Sequence, residues 1–560
     1  MSKLKVLICS EASFISSGFG TYTRETLSRI YASNKYHIAE FASYAMVNDS
    51  RDKDIPWRMY ANAVASEDPR HAEYNSSVEN QFGRWRFDKV LLDFKPDVVI
   101  DIRDYWMSAY QSVSPFRKFF HWILMPTVDS CPQQEDWIDT FISADAIFTY
   151  SDWGAQVLKQ QSGGKINYIA TASPGVDLQT FSPHNDKIAI KKAFGVPSDS
   201  FIVGSVMRNQ KRKLIPELMT AFRSLLDILE KENPALAAKT YLYLHTSYPD
   251  AGWDIPELLK QSRLANKVLF TYNCGSCGAV ESCTFAHPAK KCRGCLTHGS
   301  MKLPTVTQGI SSVTLSQIYN MFDVYVQYSI CEGFGMPQVE AGACGIPIMT
   351  VNYSAMCDVI DKLEAYKIEV QSTFRELETK ALRVYPSNNS LVQHVLNFLS
   401  LPESMREHKK YQTRLLTEKF YNWDNVADKW MAYLDKLDAS NYRSDWGAPV
   451  VAMTPLGDIP LLVANTPRKS QLPELLYLCH THLKDHSLAS YMGMLSMCRD
   501  ADYGFSQSGA SLQLVGLSEV LRRLQDKILL YNNAHEARMR GITFQEDFIA
   551  YAHQKENVRL

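Results

Sequence analysis

Two acids, Glu332 and Glu340, bracket the run Gly333-Phe334-Gly335-Met336-Pro337. Carboxylates accept hydrogen bonds from neighbouring hydroxyls, so the pair is suited to holding a sugar or a ribose. Residues 323–329 read as a strand that enters this loop. The glycines let the backbone turn tightly and approach a ligand. Pro337 suits the first turn of a helix, and Glu340 is expected in that same turn. Unpaired N–H groups at such a helix end, with the helix dipole, favour an anion such as a diphosphate. The plain alternative is an ordinary strand–loop–helix turn carrying surface acids.

A basic cluster, Gly204-Ser205-Val206-Met207-Arg208-Asn209-Gln210-Lys211-Arg212-Lys213, follows one strand and precedes a helix. Cations there neutralise charge developing on a departing diphosphate; a solvated basic turn is the other reading. The glycine pair Gly18 and Gly20, in Ser16-Ser17-Gly18-Phe19-Gly20-Thr21, sits after the first strand and is a weak signal alone. The segment 122–129 carries Pro126 and ends on Asp129, for which a helix cap and a catalytic acid compete. Arg103 and Asp104 follow a strand at 98–102 and are expected to face the ligand cleft.

Cys274-x2-Cys277 and Cys292-x2-Cys295 have the spacing of a four-cysteine zinc ribbon, which holds Zn²⁺ tetrahedrally. A closed four-thiolate site is structural, not catalytic. Gly275, Gly278 and Gly294 ease the knuckle turns, and Cys283, His287 and His298 are spare ligand candidates. Lys290, Lys291, Arg293 and Lys302 face one acid, Glu281. Small basic zinc modules contact nucleic-acid phosphates, or serve as plain structural staples.

These residues need elements to position them. Short apolar runs at 6–9, 98–102, 123–125, 146–150 and 166–170 read as buried parallel strands, with helical patterns at 21–32 and 137–143 between them. A second set at 201–206, 240–245, 267–272, 324–328 and 346–351 alternates with helices at 215–232, 315–321 and 338–343. The alternation predicts an α/β fold of two Rossmann-like domains, at 1–185 and 186–437. The cysteine segment 273–304 interrupts the second. Residues 438–560 open with prolines and continue in helical patterns at 472–482, 488–499 and 512–532, an accessory region.

A chain of 560 residues is too long for a single core. Its net charge of −1 gives no global grip on nucleic acid, although a local basic patch could supply one. The apolar start at residues 4–9 is short for a signal peptide, and no apolar run reaches bilayer length. Scattered single cysteines argue against a secreted disulfide framework and fit a reducing cytoplasm, a host's if the chain is phage-encoded.

The segment Cys331-Glu332-Gly333-Phe334-Gly335-Met336-Pro337-Gln338-Val339-Glu340 resembles the Glu-x7-Glu signature of retaining GT-B glycosyltransferases of the family 4 type. Residues 341–345, Ile346, Pro347 and Val351 resemble its continuation, and the basic cluster resembles the family's Arg-Asn-Gln-x-Arg-Lys variant. The resemblance covers roughly residues 1–437 without the insertion, including a junction at Pro174-Gly175-Val176-Asp177. It implies two domains facing across a cleft, acceptor side first and donor side second.

It further implies that Glu332 sits by the transferred sugar and Glu340 holds the ribose. Backbone amides of Gly333, Phe334, Gly335 and Met336 would meet sugar and phosphate, and Gly18 and Gly20 would approach the diphosphate. Arg208 and Lys213 would clamp the leaving group without a catalytic metal. Many members carry a His where this chain has Asp129; His121 lies earlier, inside the strand. The implied donor is a UDP-sugar. The acceptor reading is hydroxymethylcytosine in phage DNA, by similarity to phage-encoded members. Against it stand a glycan acceptor and a non-catalytic zinc-dependent nucleic-acid-binding protein. No membrane insertion is expected.

Overall fold

The computed structural model describes residues 3–114, 116–285, 291–305 and 308–447. The accessory helices expected beyond 447, with His287 and Lys290, lie outside the described residues. By its contacts the chain forms two compact units. Of the described residues, one comprises those up to 125, 143–146 and 433–447; the other comprises those of 126–142 and 147–432.

The first unit holds strands β1 (Leu4–Glu11), β2 (Tyr36–Met46), β3 (Arg58–Ala63), β4 (Val98–Asp101) and β5 (His121–Leu124). They run in parallel in the order β3-β2-β1-β4-β5. Val6 pairs with Ile38 on one side and Val98 on the other, and all four residues of β4 are buried. Strands covered on both faces read as continuous apolar runs, which is why β1 and β4 are legible in sequence. Helix Gly18–Ala32 packs on this sheet through Tyr22, Leu27 and Ile30.

Residues 147–432 of the second unit open with the parallel pair β6 (Ala146–Thr149, all but its first residue in this unit) and β7 (Tyr168–Thr171). Its main sheet contains β8 (Phe201–Val206), β9 (Thr240–His245), β10 (Val268–Cys274), β11 (Val280–Thr284), β12 (Met301–Lys302), β13 (Val324–Gln327), β14 (Ile348–Val351) and β15 (Tyr366–Ile368). The order is β11-β10-β9-β8-β13-β14-β15, with β12 paired to β10. Parallel pairing holds from β10 to β15, while β11 and β12 return antiparallel along β10. Helix Ile215–Glu232 buries Leu218, Phe222, Leu225 and Leu229, one stripe at helical spacing, in the core of this sheet. A hairpin of β16 (Val370–Arg375) and β17 (Leu382–Pro386) follows. No helix among the described residues is long and apolar enough to cross a membrane.

Candidate active site

Two loops at the ends of adjacent strands, after β8 and after β13, meet in the second unit. They are laced by backbone: Ile330 N–H and the Ser329 hydroxyl both donate to the Arg212 carbonyl, at 3.0 and 3.1 Å. This sets Glu332 against the basic cluster. One carboxylate oxygen accepts from Lys213 Nζ and, at 2.7 Å, from Gln327 Nε2; the other accepts from Arg212 at 3.0 Å. The Glu332 N–H donates to Ser354 Oγ at 2.9 Å. Glu332 is 3% exposed and Lys213 7%, whereas the Arg212 side chain is 41% exposed and reaches solvent.

Burial raises a carboxyl pKa, but here Lys213 and Arg212 outweigh it and hold Glu332 down to about 2. Burial pushes Lys213 down to about 8 against the pull of Glu332, so both groups are charged at neutral pH.

Gly335 precedes helix Met336–Ala343 at φ 86°, a left-handed conformation that favours glycine. A Cβ on Gly333 would lie 2.2 Å from the Thr127 methyl, so only glycine fits under that side chain. Phe334 is buried against Tyr421. Met336 and Pro337 open the helix. Glu340 is the fifth helical residue, one turn deeper than the first turn expected for it. Its carboxylate accepts from the Tyr319 hydroxyl at 2.8 Å. Among the described residues no cation bonds it, and burial pushes it up to about 7.

Other sequence candidates fall elsewhere. Arg208 forms a fork with Asp250 at 2.8 and 3.0 Å, and its guanidinium bonds Asp250 rather than Glu332. Asp129 belongs to the second unit and sits beside the Glu332 loop. It accepts from Arg383 at 2.9 Å and from the Cys331 thiol at 3.2 Å, and Arg383 is held in turn by Glu376 at 2.7 Å. In the first unit, Ser17 caps helix Gly18–Ala32 by accepting from Gly20 N–H at 3.0 Å. A Cβ on Gly20 would meet the Ile15 carbonyl at 2.4 Å, while Gly18 has open space. Arg103 does not face a ligand cleft: it is 1% exposed, bonded to Asp101, the Phe82 carbonyl and Ser43.

Arg212, Gln327, Tyr319, Ser354 and Arg383 were not singled out by sequence. Arg212 stood among equivalent cations, and only the loop's path decides which one reaches Glu332. The others belong to no local pattern.

The four cysteines converge. Cys274 closes β10, and its knuckle turns back with Gly278 N–H donating to the Cys274 carbonyl at 2.9 Å. The second knuckle repeats this, Leu296 N–H donating to the Cys292 carbonyl at 3.1 Å. All four sulfurs lie within 4.8 Å of one another, with Cys274–Cys295 at 3.6 Å and Cys277–Cys292 at 3.8 Å. A tetrahedron of sulfurs about 2.3 Å from Zn²⁺ has edges of about 3.8 Å, so the donors fit such an ion. The Ser300 hydroxyl, 3.2 Å away, holds the Cys274 thiol down to about 6, toward the thiolate that a metal binds. Cys283 and His298 are outside this group.

The strand order and crossovers define an α/β fold of the GT-B kind, and the comparisons with known proteins agree. Residues 303–415 match the family model described as "Glycosyl transferases group 1". The "D-inositol 3-phosphate glycosyltransferase" of Stackebrandtia nassauensis is 26% identical over 206 residues, 37% of this chain and 38% of that protein. "D-inositol 3-phosphate glycosyltransferase 2" of Catenulispora acidiphila is 24% identical over 218 residues, 39% of this chain and 42% of its own length. The chain thus spans about two fifths of these relatives. Among solved structures, sucrose-phosphate synthase from Thermosynechococcus elongatus superposes with TM-score 0.56 at 16% identity, covering 78% of this chain and 100% of that one. Anabaena HepE in complex with UDP and glucose gives 0.52 at 12%, covering 78% and 100%. The structural likenesses establish the fold. The similarity to the group 1 model and to the curated glycosyltransferases is confined to part of the chain.

Proposed function

We propose that the protein is a retaining glycosyltransferase that moves a sugar from a UDP-sugar to an acceptor hydroxyl. The observation that carries this reading is Glu332, buried and ionised between Lys213 and Arg212 beside the start of helix Met336–Ala343. In the reaction the acceptor oxygen bonds the anomeric carbon as the carbon–phosphate oxygen bond breaks. The acceptor's proton passes to the leaving phosphate, on the same face. Charge then grows on the diphosphate, where Lys213, Arg212 and the helix amides stabilise it. Glu332 positions the sugar and keeps Lys213 aimed, and Glu340 takes the ribose hydroxyls. Arg208 would reach the donor only from its fork with Asp250. Asp129, fixed by Arg383, stands where the family resemblance leads one to expect a His and is the group we assign to the sugar's far hydroxyls. UDP as the nucleotide is favoured by the solved HepE complex.

For the acceptor we carry forward a hydroxymethylated base in DNA, on the strength of the cysteine knuckles with exposed Lys291, Arg293 and Lys302. The four thiols would hold one structural Zn²⁺, which fits a reducing compartment such as the cytoplasm. The relatives' name, D-inositol 3-phosphate glycosyltransferase, makes a polyol phosphate the competing acceptor. The test is incubation with labelled UDP-sugars and, in parallel, hydroxymethylated DNA, inositol phosphate and glycans. Label in one acceptor class, lost in Lys213→Ala, supports the transferase. No transfer from any donor, with UDP failing to bind, sinks it.

A further inference from the structure

The first unit carries a cavity of about 260 Å³ between β3 and helix Arg84–Phe94. Tyr60 and Trp85 line it, with the cations Arg70, Arg86 and Lys89 and the acid Asp93. The acids nearby are already engaged. Asp68 holds Arg70 in a fork at 2.9 and 2.6 Å, and Asp93 is bonded by Arg58 and by the Tyr60 hydroxyl.

Arg86 differs. It donates to the Ala61 carbonyl and lies 5.4 Å from the Trp85 ring centre, and no carboxylate pairs with it among the described residues. Lys89, one turn on, also lacks an acid partner among them. Burial and the neighbouring Arg70 act against the Arg86 charge and outweigh the pull of Asp68, which is already bonded to Arg70. Arg86 also lies in the first turn of a helix that has no acid there, the reverse of what the helix dipole favours. A half-buried, like-charged cluster at the positive end of a helix is relieved by an incoming anion. The aromatic wall is built to last: the Trp85 indole N–H donates to Asn62 at 2.9 Å, and buried Asn62 is anchored to the Asn80 and Gln81 carbonyls.

We propose that this pocket takes a phosphate and its adjoining base from a single nucleic-acid strand. Arg86, Lys89 and Arg70 meet the phosphate, and Trp85 and Tyr60 meet the base. Aromatic side chains interleaved with cations are the general means of holding an unpaired strand. Resting on the transferase reading above, the strand would be the acceptor.

The test is fluorescence anisotropy with a labelled single-stranded oligodeoxynucleotide across a salt series. It needs neither donor nor turnover, so its failure is separable from failure of the transferase reading. Exposed Lys89→Gln is expected to shallow the salt slope by about 0.7 with the fold intact. Trp85→Leu is expected to weaken binding about ten-fold. Affinity and slope unchanged in Lys89→Gln would overturn the assignment. So would inorganic phosphate or inositol phosphate displacing the strand at equal phosphate concentration, because the pocket would then be a plain anion site.

Discussion

Glu332 and Glu340 stand at either end of one short loop-to-helix turn, both largely withdrawn from water, and they are opposites. Glu332 has two cations and an amide on its oxygens and is held down to about 2. Glu340 has one phenol and is pushed up to about 7. Glu332 is the more buried of the two and yet the charged one, so partners and not burial decide which carboxyl is ionised. In the reading proposed above, the first is a permanent anion that orders the cations around the diphosphate. The second is a group that a ligand's hydroxyls must help to ionise.

The largest effect expected is on transfer. Lys213→Ala removes the cation that bonds Glu332, and turnover should fall about a thousand-fold with the fold retained, read by single-turnover assay. Near-parental rates would remove Lys213 from the chemistry. Next comes stability. Lys213→Met leaves Glu332 with Arg212 alone and is expected to cost about 3 kcal/mol by urea denaturation, most of it recovered in Lys213→Met/Glu332→Gln. A double variant no better than the single one would show that the ion pair is not the unit.

Glu340→Gln should weaken UDP binding about ten-fold, an estimate for one hydrogen bond to a charged group. In the parent, UDP affinity should rise as pH climbs through about 7; in the variant it should be flat. The smallest effect is on the pH dependence of folding. A carboxyl whose folded pKa is raised loses stability as pH rises from its unfolded value of about 4.5 to about 7. Glu340→Gln should therefore be the more stable protein above pH 7, by roughly 1 kcal/mol given its partial exposure, with the advantage gone below the unfolded pKa. The contribution of Glu332 has the opposite sign: it is present above about 4.5 and lost only as pH falls toward 2.

What could be read from sequence followed burial. Residues 201–206 and 240–245 were predicted as strands and are β8 and β9 to the residue, because both faces are covered and the runs are apolar. β2 escaped notice because Glu40 and Ser43 interrupt its apolar pattern. Glu40 is buried and its oxygens are satisfied locally, accepting from Ser13 and Trp57 at 2.7–2.8 Å, a tertiary arrangement that periodicity cannot show. The cysteine cluster was legible because its ligand spacing is local. The network Asp129–Arg383–Glu376 was not, because its members are joined only by the fold.

The Thr127 methyl over Gly333 has a practical consequence for anyone exchanging halves between relatives. Residues 126–142 come early in the chain but fold with the later unit, and they bring Asp129 with them. A graft cut at the junction near residue 185 would take Thr127 and Asp129 from one parent and Gly333 from the other. The seam that travels whole runs on either side of 126–142 and 147–432, so a swapped half has to be stitched in at four places rather than one.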